Sequence, residues 1–162
     1  MEEHFIGGHP MAGSEKSGFV NAKAHLIENA YYIITPSAKV SGEKVTEYKT
    51  FIESLKALPI LLDYQKHDAV TGTISHLPHI LASGLVNFVR ETDTEDELMK
   101  QLAAGGFKDI TRIASSSPVM WQQICLKNRE NYLPDPQRIY RNIKSGETGD
   151  RHRRGRGSLF LF

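Results

Sequence analysis

Ile74-Ser75-His76-Leu77-Pro78-His79-Ile80-Leu81-Ala82-Ser83-Gly84-Leu85-Val86-Asn87-Phe88-Val89 lies near the middle of this 162-residue chain and is apolar on nearly every side. A helix of that kind is buried on more than one face. In a small chain this points to a partner helix from another subunit. The pattern reaches back to about Lys66, so one long helix is expected from Lys66 to Val89, with a kink or break in its ladder at Pro78. Ser83, Gly84 and Asn87 interrupt the apolar run, which is too short to span a membrane.

Upstream, Val45, Tyr48, Phe51, Ile52, Leu55 and Leu58 recur at spacings of three and four, which predicts a helix capped by Ser41 and ended by Pro59. Before it, Ala30-Tyr31-Tyr32-Ile33-Ile34-Thr35 is a strand signature that stops at Pro36. His4-Phe5-Ile6 reads as a short strand running into a Gly7-Gly8 turn. Two strands alone are marginal, so this segment reads as the end of an α/β unit whose first half is missing. Downstream, Thr94-x-x-Glu97 has the pattern of a capping box opening a short helix through Leu102, which Gly105-Gly106 should stop. Ser117-Pro118 predicts a last helix through Trp121, Ile124 and Cys125, ended by Pro134 and Pro136. The expected organisation is an α/β remnant over 1–38, a helical domain over 39–137 and a basic, disordered tail over 138–162.

Hydrophobic residues make up 40% and charged residues 24%, which suits a packed core and excludes general disorder. The net charge of +1 hides an asymmetry: from Arg138 onward there are seven basic and two acidic residues, against 13 and 17 before it. Arg151-His152-Arg153-Arg154-Gly155-Arg156-Gly157 has the look of an arginine–glycine segment. It is one short run without aromatic interleaving until Phe160, so nucleic-acid binding is not the expected function. The single cysteine, Cys125, rules out an internal disulfide and fits a reducing compartment. Met1-Glu2-Glu3-His4 is acidic where a secretory signal is basic, and a cytoplasmic location is expected.

Three clusters could carry chemistry. Gly7-Gly8-His9-Pro10-Met11-Ala12-Gly13-Ser14-Glu15-Lys16-Ser17-Gly18 places a histidine on a glycine- and proline-rich segment, where it could serve as a general base. It reads equally as a polar surface loop, and it is neither a P-loop nor G-x-G-x-x-G. Ser75-His76-Leu77-Pro78-His79, with His67-Asp68 upstream, could hold a metal, but no cysteine or Glu-x-x-His completes a ligand set, and no metal is assigned. Gly105-Gly106-Phe107-Lys108-Asp109-Ile110-Thr111-Arg112 offers an arginine suited to bidentate capture of a carboxylate, or only a surface Asp109–Arg112 pair. Trp121, the sole tryptophan, is core, interface or substrate wall.

Together the blocks 7–18, 75–79 and 105–121 resemble prephenate dehydrogenase, in family order and with family-like spacing, and the resemblance covers about residues 4–132. It implies a mainly α fold: a helical dimerisation domain of the prephenate dehydrogenase type, preceded by a short α/β remnant of a Rossmann domain. It implies oxidative decarboxylation of prephenate to 4-hydroxyphenylpyruvate in tyrosine biosynthesis, with NAD as cofactor and a homodimer as the assembly. His9 matches the family's catalytic histidine. Arg112 matches the arginine that holds a substrate carboxylate, and His79 a substrate-contacting histidine. Ser14 and Glu15 fall where the family's loop faces and gates the pocket. Asp109 is expected to orient Arg112, and Trp121 to line or support the site. The G-x-G-x-x-G turn and the acidic residue that reads the ribose are not in this sequence, so no cofactor-binding residue is assigned. Two other readings compete: a non-catalytic helical dimerisation or ligand-sensing module, and a basic-tailed nucleic-acid binder.

Overall fold

The computed structural model describes residues 4–13 and 18–132, together with Arg141 and Lys144. Ser14, Glu15 and all of the expected tail over 138–162 except Arg141 and Lys144 lie outside the described residues. The chain divides into two units, Met1–Tyr132 and Leu133–Phe162. Of the second, only Arg141 and Lys144 are described, both helical and exposed.

The first unit opens with a three-stranded sheet in the order β1-β2-β3. β1 (Ile6–Pro10) pairs antiparallel with β2 (Tyr31–Pro36), placing His9 opposite Ile33. β2 pairs in parallel with β3 (Leu58–Leu61), and helix α1 (Gly42–Ser54) makes the crossover between them. Gly7 and Gly8 are therefore strand residues, not the turn expected from their composition. The reason is close packing: a Cβ on Gly7 would lie within clashing distance of the Thr35 hydroxyl, and one on Gly8 would fall 2.6 Å from the Tyr32 hydroxyl and 2.8 Å from that of Tyr48. Pro10 is tolerated because β1 is an edge among the described strands.

Pro59 does not end α1, which stops at Ser54; it lies inside β3. The helical spacing from Val45 to Leu58 continues by chance into the strand. What ends the helix is Lys56, whose φ of 60° is left-handed. The Lys56 carbonyl then accepts from Asn29 N–H at 2.8 Å, and Leu58 N–H donates to Ala30 at 2.8 Å, which starts the parallel ladder. Ser41 does cap α1, its hydroxyl accepting from Lys44 N–H. Ile34, Ile52 and Ala57 form the core under the sheet, with Ile6, Tyr32, Tyr48 and Leu55 packed against it.

The expected long helix is present in three pieces: α2 (Tyr64–Thr71), a π-helical turn (Gly72–His76) and α3 (Leu77–Thr92). The break precedes Pro78. Proline lacks an N–H and its ring crowds the carbonyl four residues back, so the ladder widens there, and Leu77 N–H reaches the Gly72 carbonyl. The widened turn lets another helix approach: a Cβ on Gly72 would lie 3.1 Å from Asn131 Cβ and 3.2 Å from its carbonyl.

Two further expectations are corrected. Thr94 does not cap α4 (Leu98–Leu102). Glu97 takes a left-handed φ of 50°, and the Asp93 carboxylate accepts from Met99 N–H and Lys100 N–H instead, each at 3.0 Å. Gly105-Gly106 does not stop that helix but opens α5 (Gly105–Thr111). A 3₁₀ turn (Arg112–Ser115) leads to α6 (Pro118–Tyr132), which begins at Ser117-Pro118 as expected and kinks at Asn128. Among the described residues, no helix is long and apolar enough to cross a membrane.

Candidate functional site

Two groups of side chains meet where the sheet abuts the helices. The first is a string of hydrogen bonds. His9 on β1 and His67 on α2, 58 residues apart in sequence, approach edge to face, with His9 Nδ1 2.8 Å from His67 Nε2. His67 Nδ1 lies 2.8 Å from the Asp68 carboxylate. The backbone beneath is pinned: the buried Thr71 hydroxyl donates to the His67 carbonyl at 2.9 Å, and Asn128 Nδ2 donates to the Asp68 carbonyl at 2.8 Å. Asn128 Nδ2 also reaches His76 Nδ1 at 3.0 Å, while its Oδ1 accepts from Asn131 at 2.7 Å. This explains how a buried amide at a helix kink is accommodated: each of its polar atoms has a partner.

The second group lines a cleft of about 430 Å³ bounded by Gly13, Ser75, His79, Arg112, Ser116 and Trp121. The His79 ring stacks on the Trp121 indole at 3.5 Å between centroids and 5° between planes. His76 meets the same indole edge-on at 6.0 Å, which links the cleft to the His9 string. His79 is only 7% exposed. His79 Nδ1 and Trp121 Nε1 are buried without a hydrogen-bond partner among the described residues. Two idle polar atoms in one cleft cost stability and are suited to a polar ligand. Arg112, exposed at its rim, adds a permanent cation.

The structure thus brings together His79, Arg112 and Trp121, and links His9, which is not among the residues lining the cleft, to them through His67, Asp68, Asn128 and His76. Asp109 is exposed on α5 and is not among the residues lining the cleft. Ser14 and Glu15 lie outside the described residues, although Gly13, next to them, borders the cleft. His67 was visible in the sequence only as a metal-ligand candidate. At 2.8 Å the His9 and His67 nitrogens bond directly, closer than two donors about a metal each at about 2.0–2.1 Å would sit. Asn128 had no signal at all, since its partners are set by the kink in α6.

Electrostatics favours neutral imidazoles here. Loss of water lowers the pKa of His9 below the usual 6.5, and the neighbouring His67 and His76 lower it further. Burial also lowers His76, opposed by Asp68, and lowers His79, opposed by the Ile113 backbone. A lowered pKa means the unfolded chain binds protons that the folded chain refuses. Stability from these residues is therefore present above 6.5 and is lost as the pH falls through the lowered values. Urea unfolding midpoints should drop between about pH 7.5 and about pH 5. A drop abolished in His76→Gln, His79→Gln and His9→Asn together assigns it to this cluster, and one that persists assigns it elsewhere.

A three-stranded sheet joined to a helical domain, with histidines and an arginine converging where they meet, defines a two-part enzyme architecture of the α/β-plus-helical kind. The comparisons narrow this. The family model for the prephenate dehydrogenase dimerization domain matches residues 63–149, and that for its nucleotide-binding domain matches residues 1–61. The chain belongs to the prephenate dehydrogenase family. It is 48% identical over 129 residues to the prephenate dehydrogenase of Bacillus subtilis strain 168, covering 80% of this chain and 35% of that protein. The crystal structure of Aquifex aeolicus prephenate dehydrogenase in complex with hydroxyphenyl propionate and NAD+ matches with a TM-score of 0.81 at 35% identity. That match covers 88% of this chain and 50% of the other. Synechocystis arogenate dehydrogenase matches with a TM-score of 0.74 at 28% identity, over 89% of this chain and 52% of that one. The chain thus spans about a third of the curated relative and about half of the solved ones.

The family is NAD-dependent, and the fit of that cofactor can be tested on the residues present. In the described residues Gly7 and Gly8 are covered by Thr35, Tyr32 and Tyr48, so neither offers bare backbone to a pyrophosphate. The described residues do not form a dinucleotide cradle.

Proposed function

We propose that this chain supplies the substrate side of prephenate oxidation: it binds prephenate and provides the base for its oxidative decarboxylation to 4-hydroxyphenylpyruvate. The observation that carries this reading is the cleft itself, in which Arg112, His79 and Trp121 converge. Prephenate carries two carboxylates. Arg112 can take one by paired charge-assisted hydrogen bonds, and the idle Trp121 Nε1–H can donate to its oxygens. His9, neutral at pH 7, can accept the proton of the ring hydroxyl. NAD+, when bound, supplies the acceptor for the hydride leaving the carbon that bears this hydroxyl. Loss of the ring carboxylate as carbon dioxide then makes the ring aromatic, so the residues here have mainly to position and polarise. Ser14 and Glu15, taken from the family resemblance, and Asp109 complete the proposed set.

The chain is further proposed to work as a homodimer in the cytoplasm. Ile74, Leu81 and Phe88 are 59%, 49% and 64% exposed at seven-residue intervals along the π-turn and α3, a stripe that a second copy could cover.

NADH formation by the purified chain with prephenate and NAD+ tests the catalytic reading, and calorimetric binding of 4-hydroxyphenylpropionate tests the substrate site by itself. Binding without turnover would favour the ligand-sensing alternative, and the missing cradle among the described residues is the observation that keeps it alive. Absence of both would remove the proposal. Arg112→Ala should weaken that binding about 10- to 100-fold, the loss of a charged hydrogen-bonded pair. Unchanged affinity would place the carboxylate elsewhere.

A further inference from the structure

The hydrogen-bond string behind His9 determines which of its two ring nitrogens holds the proton. A carboxylate oxygen can only accept, so the atom it meets at 2.8 Å, His67 Nδ1, carries an N–H. While His67 holds that single ring proton, its Nε2 is a lone pair and can only accept. The atom facing it at 2.8 Å is His9 Nδ1, which must therefore donate. In neutral His9 the remaining lone pair falls on Nε2, on the far edge of the ring from His67.

We propose that His67, held by Asp68, is the positioning residue that fixes His9 as its Nδ1–H tautomer and so makes Nε2 the atom that takes a substrate hydroxyl proton. The inference deepens the catalytic reading above and rests on it for the word "substrate"; the tautomer assignment stands on geometry alone. Its force comes from a bias in the other direction. An unconstrained histidine ring in water favours the Nε2–H form, which would put a hydrogen where the lone pair is needed. The string reverses that bias by giving His9 Nδ1 an acceptor.

The backbone under the string is anchored from two sides. Thr71, only 2% exposed, holds the His67 carbonyl, and Asn128 from α6 holds that of Asp68. The backbone at Asp68 thus cannot shift without breaking a contact to another helix, and the His67 ring is held between Asp68 and His9. When His9 accepts a proton at Nε2, its Nδ1–H continues to face the same lone pair, with the Asp68 carboxylate behind it, so nothing has to rearrange. His76, also near this cluster, accepts from Asn128 at its Nδ1.

The test is nitrogen-15 NMR of the histidine rings in the full chain above the His9 pKa, with the His9 signals identified by their loss in His9→Asn. The expected result is a wild-type His9 that is predominantly Nδ1–H. In His67→Phe the same ring should become mostly Nε2–H. In His67→Gln, whose side-chain carbonyl can accept where Nε2 did, the Nδ1–H form should return. A wild-type His9 in the Nε2–H form overturns the proposal, as does an Nδ1–H form that survives His67→Phe. If His67→Phe does not fold, His67→Gln and His67→Asn decide: a preference for Nδ1–H that ignores side-chain length counts against His67. Because the readout needs neither prephenate nor NAD+, failure to bind substrate would strike the proposed function while leaving the tautomer result to stand or fall separately.

Discussion

On the proposed function, replacing His9 by asparagine is expected to lower kcat for prephenate oxidation by about 10²- to 10⁴-fold, the usual contribution of a positioned general base. Asparagine is the informative choice because its amide can still donate toward His67 Nε2 while offering nothing in the place of the imidazole Nε2. The string behind the site is kept and the base alone is removed. Ligand affinity should change little, since Arg112, His79 and Trp121 are untouched. The pH profile separates this from a general loss of structure. With its pKa held below 6.5, wild-type His9 is in its base form at neutral pH, and kcat/KM should rise through that lowered value and then level off. The variant should lose the rising limb together with the rate. NADH formation across that range checks both, and a variant that kept the limb would assign the base to another group.

What the sequence disclosed follows from the range of the interactions involved. β2, the start of α1 and the opening of α6 rest on local signals, namely a β-branched run ended by Pro36, Ser41 as a cap and Ser117-Pro118, and each appears where expected. The break near Pro78 was local too, though its position is set by the carbonyl ahead of the proline rather than by the proline itself. β3 was hidden because Leu55 and Leu58 continue the helical spacing across Lys56, and only parallel pairing with β2 turns Pro59 into an edge-strand residue. The same holds for the site. His79, Arg112 and Trp121 belonged to blocks with a family pattern, and the fold gathers them in one cleft. The partnership of His9 with His67 joins β1 to α2 across 58 residues, a distance at which no periodicity carries information. Adjacent histidine and aspartate looked like metal ligands because composition alone cannot tell a shared metal from a shared proton.

The sheet core connects this chemistry to stability, and Ile34→Ala is the change expected to expose the link. Ile34 is fully buried at 0% exposure, packed with Ile52 of α1 and with Ala57. Cutting it to alanine leaves a cavity between sheet and helix and should cost about 2–5 kcal/mol, a large part of the about 5–15 kcal/mol that holds an ordinary domain together. The same residue faces Gly8 in the β1–β2 ladder, and its neighbour Ile33 faces His9. Loosening β2 therefore loosens the strand that holds His9 against His67, whereas the stacked His79 and Trp121, which sit on α3 and α6, should be spared. Urea unfolding at fixed protein concentration measures the first effect, with Ile60→Ala as the contrast. Ile60 is 37% exposed on β3 and should cost less than about half as much. Comparable losses at both positions would mean that the Ile34 pocket is not what holds the sheet to α1.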